Sequence, residues 1–195
     1  MYHRHVKRWI DILLALGGLI VLSPLFALIA LGIKLESKGP VFFRQTRLGK
    51  DRVPFEILKF RTMKTDTPKD MPTHLLSDPK HYITRFGAFL RRSSLDELPQ
   101  CINILRGDMS VIGPRPALWN QSDLIAARER VGANAIRPGL TGWAQINGRD
   151  ELPIDRKAAF DGDYVQKISF GFDVRIFFAT FIKTLRAEGI KEGRS

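Results

Sequence analysis

The apolar residues of this chain fall into distinct patterns along its length. Residues 12–33, between Asp11 and Lys34, are uncharged and mostly apolar on every helical face. That is the pattern of a helix in lipid rather than of one packed on a soluble core, and 22 residues are enough to span a bilayer. From Gly39 to Met63 the sequence reads as two strands around a turn containing Gly49. Phe86, Phe89 and Leu90 predict one short helix; Ile102 and Leu105 predict another, stopped at Gly107. Near the C-terminus, Val174, Phe177, Phe178, Phe181, Ile182 and Leu185 recur at three- and four-residue spacing, with Arg175, Lys183 and Arg186 off the stripe. This predicts an amphipathic helix packed by that stripe on the core, although its aromatic and basic content also suits a membrane interface. Two segments read as loops: Thr65–Tyr82, proline-rich and a candidate lid or specificity element, and the glycine-rich Ala135–Pro153, expected to be ordered.

Pro24 divides the first apolar run. It removes a backbone N–H and clashes with the carbonyl four residues back, so a kink is expected there, with the Ser23 hydroxyl available to the freed carbonyl. Two topologies compete: a kinked single span, or a helix that enters the bilayer and returns. His3, Arg4, His5, Lys7 and Arg8 precede the run, and Lys34, Lys38, Arg44 and Arg47 follow it. Positive flanks on both sides favour a re-entrant segment, since a true span sends one flank outward. The run is too long for the apolar region of a signal peptide and lacks a good small-residue cleavage site.

Composition sharpens the picture. With 195 residues the chain is expected to bury a real core. The 31 Lys and Arg against 20 Asp and Glu give a net charge of +11, which points to a polyanionic partner: nucleic acid, anionic lipid or a phosphorylated substrate. Cys101 is the single cysteine, so no intrachain disulfide forms.

The candidate chemistry lies among charged residues. In a strand, Lys59 and Arg61 share a face about 7 Å apart: either a solvated face or a clamp for a diphosphate. "SSLDELPQ" sets Asp96 beside Glu97. The pair reads as a reacting carboxylate and a metal ligand, or as part of a capping box in which Ser94 and Glu97 close a helix start. With Pro99 as the first helical residue, the pair sits just ahead of the helix, with Arg91 and Arg92 nearby. The same tetrapeptide recurs at Asp150–Pro153. Adjacency alone therefore does not rank Asp96–Glu97 over Asp150–Glu151.

"GPVFFRQTRLGK", "FEILKFRTMK", "LRRSSLDELPQCINILRGDMSVIGPRP" and "RPGLTGWAQINGRD", in this order behind a Ser-Pro break, resemble the bacterial sugar transferases, the small monotopic polyprenyl-phosphate phosphoglycosyl transferases. The resemblance covers nearly the whole chain. It implies an α+β fold: a re-entrant membrane helix broken at Ser23-Pro24 within residues 1–36, then a membrane-associated cytoplasmic catalytic domain, residues 37–195, with amphipathic interfacial helices. It implies transfer of a phosphosugar from a UDP-sugar to a polyprenyl phosphate, usually undecaprenyl phosphate, with loss of UMP. Asp96 matches the family's nucleophile, Glu97 its Mg²⁺ ligand and Arg115, between Pro114 and Pro116, a phosphate contact. Lys59, Arg61, Arg91, Gln145 and Arg149 fall in or beside its motifs and take a general phosphate-site role. Cys101 and Asp150 depart from the family's common residues there. No counterpart of the extra N-terminal membrane domain of longer relatives is recognised, so the minimal form is expected. The implied location is the cytoplasmic face of a bacterial inner membrane, with anionic lipid as a further partner; sugar, glycan and oligomeric state carry no sequence signal.

Two rival functions are weaker. A membrane-tethered nucleic-acid binder fits the charge, but the basic residues are dispersed and match no nucleic-acid-binding motif. A non-catalytic membrane adaptor leaves the clustered Arg, Lys, Asp and Glu without a task.

Overall fold

The computed structural model describes residues 2, 6–68, 79–148 and 152–185. The readings of His3, Arg4, His5, Arg149, Asp150, Glu151 and Arg186, and of most of the Thr65–Tyr82 loop, fall outside these residues.

Helix α1 (Lys7–Val21) and helix α2 (Ser23–Glu36) meet at Leu22 with a bend of 62°. The cause is the one expected from the sequence. Pro24 offers no N–H to the Ile20 carbonyl, and Ser23 Oγ donates to that carbonyl instead at 2.8 Å. Leu22 N to Gly18 O and Phe26 N to Leu22 O, both 2.9 Å, keep the helical bonds on either side. The result is an open V rather than two helices folded back on each other, because a single residue joins them. No single helix among the described residues is long and apolar enough to cross a membrane; α1 and α2 reach that length only as a bent pair.

Strands β1 (Phe42–Leu48) and β2 (Pro54–Phe60) pair antiparallel, from Phe42 opposite Phe60 to Leu48 opposite Pro54, around the expected Gly49 turn. Then follow α3 (Pro79–Tyr82), α4 (Arg85–Arg92), a 3₁₀ turn (Leu95–Glu97), α5 (Gln100–Arg106), β3 (Ser110–Ile112), α6 (Ser122–Arg130), β4 (Gly139–Thr141), α7 (Trp143–Ile146), α8 (Ile154–Lys167) and α9 (Phe170–Leu185). The fold class is α+β, as expected. Gly107 ends α5 with φ 95°, the left-handed conformation that glycine adopts without strain. β3 and β4 form a short parallel pair, Ser110 with Gly139 and Ile112 with Thr141. Thus Ala135–Pro153, expected as loop, holds a strand and a one-turn helix. A Cβ on Gly139 or Gly142 would collide with the Gly113 backbone, so these glycines permit the close approach.

The inner faces of α1 and α2 join the core. Ala15 packs with Ile57, Ile104, Met109, Ile112, Tyr164 and Ile176, and Ile29 and Ile33 pack with Phe60 and Leu90. Each fully buried side chain such as Leu90 or Ile104 contributes about 1.5–3 kcal/mol relative to exposure. The outer faces, including Leu13, Ile20, Val21, Leu28, Leu31 and Leu35, are exposed.

Both ends of the V are fastened to the rest of the protein. At the start, Lys7 Nζ donates to Asp173 Oδ2 at 2.7 Å, and Arg8 donates to the Ile104 and Leu105 carbonyls. Asp11 accepts from Ser110 Oγ and Val111 N at 2.7 and 2.9 Å. Asp173 also accepts from Tyr2 and Tyr164 hydroxyls, each at 2.7 Å. At the far end, Glu36 accepts from Phe86 N in the first turn of α4, whose N-cap is Thr84. Lys7 and Arg8 are therefore occupied with protein partners, not simply presented as flanking charge.

Helix α9 reverses an expectation. Its buried face is Asp173 and Ile176, with Thr180 Oγ1 2.7 Å from Thr141 Oγ1. Phe177, Phe178, Phe181 and Ile182, expected against the core, are exposed.

Candidate active site

The site forms where β2, the 3₁₀ turn and the Pro114–Pro116 segment meet. After α4, Ser94 adopts positive φ, 56°, and turns the chain into Leu95–Glu97. Pro99 stands at the N-cap of α5, so the acidic pair lies just ahead of that helix. The capping box does not form. Ser94 makes no side-chain cap, and the Glu97 carboxylate turns away from the helix start toward two cations.

Glu97 Oε1 accepts from Lys59 Nζ at 2.7 Å and from Arg115 at 2.8 Å, and Oε2 lies 3.5 Å from Arg115's other terminal nitrogen. Asp96 is placed differently. Lys59 Nζ stands 4.0 Å from its Oδ2, and no described residue hydrogen-bonds to its carboxylate. Both acids are buried, 8% and 9% exposed. Burial raises the Asp96 carboxyl above the usual aspartate range; the Lys59 charge opposes this and Glu97 reinforces it. For Glu97 burial acts in the same direction, but Arg115 and Lys59 together outweigh it and hold it well below the usual range. The pair is thus divided into an ionised, doubly bridged glutamate and a more basic aspartate without a hydrogen bond among the described residues.

Lys59 is held in place through α5. Asn103, fully buried, accepts from Leu58 N at 2.9 Å and donates to the Glu56 carbonyl at 2.7 Å. One amide thereby fastens β2 to the helix that follows the acidic pair. The sequence reading passed over Asn103, although a lone amide among Ile102, Ile104 and Leu105 is a visible signal of a buried polar contact.

The remaining candidates separate. Arg91, at the end of α4, lowers the Asp96 pKa through its charge and also lies 3.7 Å from Met63 Sδ. Gln145 is buried beside Gly142, its Nε2 3.2 Å from the Leu140 carbonyl, and its Oε1 has no partner among the described residues. Arg61 does not join Lys59. It lies just past β2, and its guanidinium donates to the Ser37 and Lys38 carbonyls at 2.8 and 2.6 Å. The alternation that set the two on one face ends with the strand, and Arg61 closes the end of α2 instead. Among the described residues no group of three His, Cys, Asp or Glu side chains converges on a metal position.

The chain belongs to the bacterial sugar transferase family, whose model matches residues 2–187. Among its relatives is the UDP-glucose:undecaprenyl-phosphate glucose-1-phosphate transferase of Escherichia coli (strain K12), 43% identical over 189 residues, 93% of this chain and 40% of the relative. The exopolysaccharide production protein PSS of Rhizobium leguminosarum bv. phaseoli is 42% identical over 193 residues, covering 92% of this chain and 95% of its own. An uncharacterized sugar transferase of Bacillus subtilis (strain 168), EpsL, is 37% identical over 187 residues, 96% of this chain and 91% of its own. The chain spans less than half the length of the E. coli relative.

Proposed function

We propose that this chain is a phosphoglycosyl transferase that moves a sugar phosphate from a UDP-sugar to a polyprenyl phosphate, releasing UMP. The observation that carries this reading is the divided acidic pair: Asp96, buried with no hydrogen bond to its carboxylate among the described residues, beside a Glu97 bridged by Lys59 and Arg115. The family membership and the relatives' names supply the substrate classes, and UDP-glucose is the first donor to test.

In this reading the Asp96 carboxylate attacks the sugar-bearing phosphorus. The bond from that phosphorus to the UMP oxygen breaks, and UMP leaves with the electron pair. The enzyme then carries an aspartyl-phosphosugar. An oxygen of the polyprenyl phosphate attacks the same phosphorus and returns Asp96 as the carboxylate, which divides one crowded encounter into two. A raised pKa makes Asp96 the stronger nucleophile while it remains ionised. Lys59 and Arg115 meet the diphosphate, which competes with Glu97 for them.

Glu97 and Asp96 offer hard oxygen donors, too few for a closed protein metal site. This fits Mg²⁺, which takes one or two carboxylates and completes its shell from phosphates and water. Bound there, it would neutralise charge on the diphosphate and on departing UMP. Glu97 is its assigned ligand.

The V of α1 and α2 is read as a re-entrant anchor on the cytoplasmic face of a bacterial inner membrane. Both of its ends are tied to one folded body, by Lys7 to Asp173 and by Arg61 to Ser37 and Lys38, which supports their lying on the same side. α1 has 15 residues, about 22 Å of helix; with the 62° bend shared equally, the apex lies roughly 12 Å below the ends, inside one leaflet of a ~30 Å core. The exposed stripes of α1, α2 and α9 supply the apolar contact with lipid.

The test is UMP release from a panel of UDP-sugars, with undecaprenyl phosphate and Mg²⁺, by protein in detergent or nanodiscs. Release that requires both Mg²⁺ and Asp96 supports the reading; no release with any donor in the panel contradicts it.

A further inference from the structure

The segment that presents Arg115 is fixed carbonyl by carbonyl. Gly139 N donates to the Pro114 carbonyl at 2.8 Å and Leu48 N to that of Ala117 at 3.0 Å. Arg47 donates to the Pro116 carbonyl at 3.1 Å. The Arg115 carbonyl itself accepts from Arg128 of α6 at 2.9 Å. Prolines on both sides fix φ at positions 114 and 116, so holding these carbonyls also holds the Arg115 Cα and the direction in which its side chain leaves.

Arg128 is anchored in turn. It is 4% exposed, and its Nε and one terminal nitrogen both lie 2.7 Å from Oδ2 of Asp161 on α8, which is 1% exposed. A fully buried ion pair is a poor device for stability alone, since apolar residues of similar volume are often equal or better. The remaining terminal nitrogen of Arg128 does what an apolar replacement cannot: it donates to the carbonyl of the residue whose guanidinium grips Glu97.

We infer that Arg128 and Asp161 are a positioning pair for Arg115, setting from helices α6 and α8 the guanidinium that serves the site. Asp161 orients the Arg128 fork, Arg128 fixes the Arg115 backbone, and Arg115 reaches Glu97 and the substrate phosphate. The catalytic part of this inference rests on the transferase reading above; the geometric part does not.

The experiment replaces the pair together, Arg128→Met with Asp161→Leu, so that no buried charge is left alone. The expected protein folds with a thermal midpoint near the parent's. Its kcat falls at least tenfold and its KM for the UDP-sugar rises. In an Arg115→Met background the same double change has no further effect, within twofold. Losses that multiply in that background would overturn the inference, because the pair would then act by another route. The second readout needs no turnover. In ¹⁵N-arginine-labelled protein, the Arg115 Nε–H resonance, assigned by its loss in Arg115→Met, should exchange with water faster once the pair is replaced. An unchanged Arg115 resonance would equally overturn the inference, whereas absence of UMP release by the parent would count against the transferase reading and leave this readout to decide the positioning. Should the double variant fail to fold, Arg128→Lys is used in its place: it keeps a charge for Asp161, lacks the planar fork, and should reproduce the faster exchange.

Discussion

Two buried acidic clusters in this protein are built from similar residues and wired in opposite ways. In one, Asp173 accepts from Lys7, Tyr2 and Tyr164, each at 2.7 Å, and Asp11 accepts from Ser110 and Val111. In each of these carboxylates both oxygens are engaged. In the other, Glu97 is equally engaged, by Lys59 and Arg115, but its neighbour Asp96 has Lys59 at 4.0 Å and no hydrogen bond among the described residues. Burial costs a carboxylate several kcal/mol unless partners replace water. The first cluster meets that cost in full and joins α1 to β3, α8 and α9. The second leaves one acid under-served, and the cost appears as a raised pKa. A saturated cluster is architecture; an acid kept basic and open beside cations is equipped for reaction.

Removing the charges one at a time should separate the clusters most sharply. Asp96→Asn is expected to abolish UMP release and to leave the thermal midpoint unchanged or slightly higher, since it removes a buried charge that lacks full compensation. Asp173→Asn removes the charge 2.7 Å from Lys7, leaving it only Asp11 at 3.9 Å, and should cost about 3 kcal/mol of stability, read as a lower midpoint in the same detergent. Loss of activity without loss of stability at Asp173, or the reverse at Asp96, would break the comparison.

A smaller effect sharpens it. With Asp96 raised, activity should fall on acidification at a pH above the usual aspartate range, as the nucleophile takes up a proton. Glu97, held low by its cations, stays ionised there. Lys59 lowers the Asp96 pKa, so Lys59→Met should move the acid limb of kcat to higher pH as well as reduce kcat. A limb that stays put would assign the acid-sensitive group elsewhere.

The smallest expected effect lies at the bend. Ser23→Ala leaves the Ile20 carbonyl without the hydroxyl that replaces Pro24's missing N–H. About 1 kcal/mol should be lost, seen as a slightly lower midpoint; no change would mean that the carbonyl finds another partner.

Local chemistry was legible in the sequence. Pro24 and Ser23 predict the bend and its satisfied carbonyl, Gly49 the turn, Gly107 the end of α5. The family motifs pick out Asp96, Glu97, Lys59 and Arg115, which the structure brings together. What escaped depends on which partner a residue meets. Strand alternation put Arg61 beside Lys59, but the strand ends at Phe60 and a long side chain reaches back to α2. Helical periodicity found the aromatic stripe of α9 without telling core from exterior, and the buried face proved to be the one carrying Asp173. Lys7 and Asp11 read as the edge of an apolar run, and nothing in the local sequence pattern singles out Arg128 or Asp161. Their partners lie far away in sequence, at separations of 166, 99 and 33 residues for Lys7–Asp173, Asp11–Ser110 and Arg128–Asp161. No short-range spacing records such pairs.

The central claim, that Asp96 is the nucleophile, is tested most directly by a single turnover without acceptor. Protein is mixed with UDP-glucose and Mg²⁺, quenched rapidly because acyl phosphates are labile, and analysed by intact mass and peptide mapping. The account predicts up to one UMP per active site and a phosphosugar adduct on Asp96 that disappears when undecaprenyl phosphate is added. An adduct on Asp150, or UMP release that strictly requires the lipid acceptor with no adduct trapped, would contradict it.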